Sequence, residues 1–131
     1  MQYGEFMKDV RVRAGVAEDP AEKAVRATLN TLAQRLAGGE PHDLASQLPE
    51  ELKETVELTA DEGAGIRWDA DEFVAKIAAR EGCSLEQARE HVRAIFAALR
   101  DAVTPGEFDD LVSQLDRSYR ELLPETAPVD R

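Results

Sequence analysis

Apolar residues recur at intervals of three and four along almost the whole chain, the pattern of helices that each bury one stripe. Tyr3, Phe6 or Met7, Val10 and Ala14 make the first stripe and predict a helix over residues 2–14. Gly15 stops it, because glycine accepts the left-handed backbone that follows many helix ends. Asp19-Pro20-Ala21-Glu22 opens the next helix: Asp can cap, Pro suits the first turn and Glu completes a capping box. Its stripe is Val25, Leu29, Leu32 and Leu36, and it ends at Gly38-Gly39. Gly39 is expected to hold a backbone conformation that β-branched residues resist. A shorter helix runs from Pro41 through Gln47, breaks near Pro49 and resumes to Val56, with Leu44, Leu48, Leu52 and Val56 on one face.

The second half follows the same plan. Asp69-x-x-Glu72 opens a helix carrying Phe73, Ile77 and Ala78. Ser84-x-x-Gln87 opens another with Ala88, Val92, Ile95, Phe96, Leu99 and Val103 inside. Thr104-Pro105-Gly106-Glu107 opens the last, with Phe108, Leu111, Leu115, Tyr119 and Leu122 inside. Residues 5–56 laid on residues 72–123, an offset of 67 without a gap, agree at seventeen of fifty-two positions. Gly39-Glu40-x-x-Asp43-Leu44-x-Ser46-Gln47-Leu48 returns as Gly106-Glu107-x-x-Asp110-Leu111-x-Ser113-Gln114-Leu115. The expected fold is all-α: two tandem three-helix units related by internal duplication and packed as one helical domain. The domain spans residues 1–123, with units at 5–56 and 72–123, a connector at 57–71 and a flexible tail at 124–131. A unit of this size alone forms only a marginal core, so the halves are expected to dock.

Charge narrows the partners. There are 27 acids and 16 bases, for a formal net charge of −11, and only four of the bases are Lys. Such a chain is repelled by nucleic acid and by anionic membrane surfaces. A basic protein would be the matched partner, although a solvated surface or a salty cytoplasm also accounts for the acids. No apolar run nears the roughly 20 residues that cross a bilayer. Met1-Gln2-Tyr3-Gly4-Glu5 lacks the basic start of a signal peptide. Cys83, the single cysteine, permits no internal disulfide. A cytoplasmic protein is expected.

Several residues carry a resemblance. Tyr3-x-x-Phe6, Arg13-x-Gly15, Arg26-Ala27 and Gly39-Glu40-x-x-Asp43-Leu44-x-x-Gln47-Leu48-Pro49 occur in order, followed by the echo Asp110-Leu111-x-x-Gln114-Leu115. Together, over residues 3–123, they resemble the bacterial and archaeal family known as domain of unknown function 2267. That resemblance implies a small helical protein and supplies no catalytic residue. The second half has Leu115-Asp116 where the first has Leu48-Pro49, which predicts that it lacks the proline break.

The candidate polar positions are Arg26, Arg93, Asp43, Asp110, Gln47 and Gln114. Asp43 and Gln47 share a helix face, as do Asp110 and Gln114. An antiparallel hairpin could bring each Arg to an Asp, either as structural ion pairs or as a duplicated polar pocket. Neither His42 nor His91 sits in a helical metal-ligand spacing, and Glu86 and Glu90 beside His91 read as a solvated face. Cys83 overlays Val16 and reads as a small apolar residue, and Ser46 and Ser113 read as packing or capping groups. Trp68 reads as a plug at the junction of the units or as an anchor for a partner. No catalytic residue, cofactor or metal is assigned. The expected function is a non-enzymatic protein-interaction module. The alternative is a small-molecule- or metal-binding enzyme with its polar site at the junction of the repeats.

Overall fold

The computed structural model describes residues 1–60 and 65–124. The elements are α1 (Tyr3–Ala14), α2 (Glu18–Arg35), α3 (Glu40–Ser46), α4 (Glu50–Ala60), α5 (Ala70–Glu81), α6 (Leu85–Ala102), α7 (Pro105–Ser113) and a closing 3-10 helix (Arg117–Leu122). No strand occurs among the described residues. The tail beyond Pro124 lies outside them.

Local chemistry accounts for most helix ends. Asp69 accepts from the Glu72 amide at 2.8 Å while Glu72 accepts from the Asp69 amide at 3.0 Å. Ser84 and Gln87 make the same reciprocal pair, and Thr104 caps α7 through the Glu107 amide at 3.2 Å. Gly15 and Gly82 end α1 and α5 at φ of 70° and 74°. The expected Asp19 cap does not form: α2 starts at Glu18 with Ala17 before it and no side-chain cap. Pro20 then falls in the first turn, where its missing N–H costs nothing.

Two further expectations change. The left-handed residue after α2 is Gly38, at φ 67°, whereas Gly39 has an ordinary φ of −85°. The α3–α4 break also has a counterpart in the second half, although that half lacks the proline. Both α3 and α7 end in tightened turns, Gln47 N to Leu44 O and Gln114 N to Leu111 O, each at 3.1 Å. Ser46 and Ser113 donate to the carbonyls of Asp43 and Asp110 at 2.7 and 2.6 Å, bonds that compete with helix continuation. Asp116, extended, then caps the 3-10 helix through the Ser118 amide at 2.9 Å. The predicted last helix is therefore two elements, and α4 runs on to Ala60, past Val56.

Among the described residues one apolar cluster joins the two halves, with Phe6, Leu29, Leu44, Phe73, Phe96 and Tyr119 all buried in it. Helix α1 packs on α6 more extensively than on α2, and α5 packs on both α2 and α6. Arg13 reaches Asp101 at 2.9 Å and Arg80 reaches Thr31 at 2.8 Å, so each half grips the other's long helix. Residues 65–68 of the connector are pinned: Gly65 N and Ile66 N donate to carbonyls of Leu36 and Gln34, and the carbonyl of Trp68 accepts from both Arg35 and Tyr119. Trp68 itself is partly buried against the core, with Lys76 over its ring at 5.6 Å.

Candidate carboxylate site between α3 and α7

Helices α3 and α7 meet by their first turns, because Gly38-Gly39 and Thr104 turn the chain sharply off the ends of α2 and α6. This places Glu40 and Glu107, at or near the start of each helix, inside the contact. Their residues are 6% and 7% exposed. The Oε2 atom of each is buried with no hydrogen-bond partner. Donor oxygens of Glu40, Asp43 and Glu107 all lie within 4.8 Å of one another.

Burial first, then the neighbouring Glu107, push the Glu40 carboxyl up to about 8, and Asp43 and Asp110 add to the rise. The charges that raise it all belong to carboxylates. Asp43 and Asp110 are exposed, so the cluster is buried at the glutamates and open to solvent at the aspartates.

Two amides frame it. Gln47 Oε1 accepts from Thr104 N at 2.8 Å, and Gln114 Oε1 accepts from Ala37 N at 2.8 Å. Gln114 Nε2 also donates to the Ala37 carbonyl at 3.2 Å. Each glutamine thus holds the chain just ahead of the other half's short helix.

Of the six positions singled out in the sequence, four gather here: Asp43, Asp110, Gln47 and Gln114. The arginines do not, which corrects the expected Arg–Asp pairing. Arg26 bonds Glu22 at 3.2 Å and Thr55 at 2.7 Å, and Arg93 donates to the Glu121 carbonyl at 2.9 Å. The reason is packing: α4 and the 3-10 helix lie along α2 and α6 at that level, in place of α3 and α7. In sequence, Glu40 and Glu107 read as helix-start acids of the kind the macrodipole favours. Their identity inside the repeated Gly-Glu-x-x-Asp-Leu element was the available signal.

The remaining candidates also find places. His91 Nδ1 meets Glu81 Oε1 at 2.8 Å, while Glu86 and Glu90 are exposed. Burial, then the charge of Glu81, push the Cys83 thiol up to about 11, which opposes a free nucleophilic thiolate at neutral pH.

A family model described as uncharacterized conserved protein (DUF2267) matches residues 3–122. The chain belongs to that family. A search of curated proteins finds no match. Membership in DUF2267 assigns no chemistry to the site.

Proposed function

We propose that this protein is a non-enzymatic helical module that binds one divalent cation between α3 and α7 and so clamps its two halves together. The observation that carries this reading is the buried pair Glu40 and Glu107, each with an unpartnered carboxylate oxygen, beside Asp43. Two acids buried together are costly unless a proton or a cation neutralises them. Oxygen-only donors suit hard cations of the magnesium, calcium and manganese type. The exposed aspartates give the ion a route in from solvent.

We read the two halves as copies of one unit. Supporting this are the identities at an offset of 67 and the bounds of α1 and α2, which shifted by that offset are those of α5 and α6. The reciprocal bonds of Gln47 and Gln114 support it too, since Ala37 and Thr104 are spaced by the same 67 residues. On this reading the cation lies where the copies meet. No helix among the described residues is long and apolar enough to cross a membrane. A cytoplasmic setting and a basic protein partner, expected from composition and charge, are compatible with the clamp and are not required by it.

Calorimetric titration of chelator-treated, full-length protein with Mn2+, Mg2+ or Ca2+ tests the reading. One equivalent should bind, and Glu40→Gln and Glu107→Gln, still helical by circular dichroism, should each lose it. Absence of binding by folded wild-type protein at ~10 mM cation, above the range of even weak calcium sites, would reduce the pair to two acids sharing a proton.

A further inference from the structure

A second cluster lies at the turn between α5 and α6, built from different chemistry. Glu81 ends α5, Cys83 follows the left-handed Gly82, and His91 faces them from the second turn of α6. The His91 nitrogen and the Cys83 sulfur both approach the same oxygen, Glu81 Oε1, at 2.8 and 3.5 Å. The other oxygen, Glu81 Oε2, is buried without any hydrogen-bond partner, in a residue only 7% exposed. Sulfur, imidazole nitrogen and carboxylate oxygen all lie within 4.8 Å of one another. Both oxygens of an ionised carboxylate can accept. Here the donor atoms converge on one point and one oxygen is left over.

That point is open on one side. Glu81, Cys83 and His91 line a cleft of about 560 Å³, together with Val16 from the α1–α2 turn and Pro20 and Lys23 from the start of α2. The first half has no counterpart: the residues 67 positions earlier are Ala14, Val16 and Ala24. Three chemically distinct ligating groups have therefore been placed together in one half only.

We propose that Glu81, Cys83 and His91 form a three-ligand site for a zinc-class divalent metal, with the fourth position open to the cleft. Three protein ligands plus one exchangeable position is the arrangement in which zinc binds water or a small ligand. A thiolate with an imidazole selects softer metals than the oxygen-only cluster between α3 and α7 does. The two sites therefore differ in the ion they hold, and this one stands independently of the clamp.

Cobalt(II) is the probe, added to full-length protein with a reductant that does not chelate metal. One equivalent should produce a thiolate-to-cobalt charge-transfer band in the near ultraviolet, which zinc then abolishes by displacement. Cys83→Val and His91→Ala install the residues that occupy the matching positions of the first half, so both variants should fold, as circular dichroism would verify. The first should remove the band. The second should weaken binding by at least about tenfold, since loss of even an outer-shell partner costs about 10–100-fold. Glu40→Gln should leave the band and the affinity unchanged. Folded wild-type protein without the band, a band that survives Cys83→Val, or undiminished affinity in His91→Ala would each overturn the assignment.

Discussion

Gly38 and Glu40, two residues apart, show how single positions decide this molecule. At Gly38 the backbone is left-handed, at φ 67°, and a Cβ there would meet no atom within 4 Å, so any side chain would be opposed by conformation alone. Gly38→Val should therefore destabilise by at least about 1–2 kcal/mol, the left-handed penalty for an ordinary residue. Gly39→Val, at φ −85°, escapes that penalty. Thermal unfolding of the two variants checks this, and equal losses would contradict it. Glu40 supplies a pH signature in metal-free protein. Its folded carboxyl keeps a proton to about pH 8, against an ordinary value of 4.5. Between those values the folded state binds the extra proton, so stability falls as pH rises, by at most about 1.4 kcal/mol per unit, and levels off above the folded value. Relative to Glu40→Gln, the wild type should lose stability across that window, and saturating Mg2+ should remove the difference in slope. Parallel curves in the absence of metal would contradict the buried pair. The aspartates and glutamines of the repeated element were legible in the sequence because they recur. The role of the glutamates beside them was not, because a helix-start acid and a buried acid read the same in one dimension.

At the scale of elements, the helices follow from stripes and capping boxes, and the misplacements have local causes. The start of α2 falls one residue ahead of Asp19, so Ala17 occupies the cap position that Ser84 fills in α6. The split of the last predicted helix into α7 and a 3-10 helix reflects Ser113 and Asp116, whose bonds to nearby backbone groups replace a proline in ending it. That 3-10 helix is held to the core by Tyr119, which is fully buried, packs on Phe73 at 5.3 Å between centroids and donates to the Trp68 carbonyl at 2.7 Å. Arg35, which the sequence did not single out, shares that carbonyl at 2.9 Å and lies 5.5 Å from the Tyr119 ring. Tyr119→Phe should cost about 1 kcal/mol, the usual net worth of one hydrogen bond, measured by denaturant unfolding. An unchanged midpoint would show that Arg35 alone satisfies the carbonyl. The contact of α3 with α7 makes a separate prediction. Gln47→Ala and Gln114→Ala should each cost about 1 kcal/mol and should each weaken cation binding, because both hold the short helices that carry the glutamates.

Across the whole molecule, the two halves interlock. Helix α1 has more of its packing on α6 than on its own neighbour α2, and the buried stripes of both halves feed one core. A fragment of residues 1–58 should therefore show no cooperative thermal transition as a monomer, whereas a sharp transition would mean that docking adds nothing to its stability. The periodicity of the sequence implied that two helical units would need each other. It could not show which surfaces meet, because the stripe that packs within a half and the stripe that packs across look alike. Only in three dimensions do Glu40 and Glu107, far apart in the chain, become one acidic site. Anomalous diffraction from a crystal grown or soaked with Mn2+ shows whether that site holds a cation. A single strong manganese peak is expected between the carboxylates of Glu40 and Glu107, within coordination distance of Asp43. A crystal saturated with manganese that shows no peak there would contradict the proposed cation site.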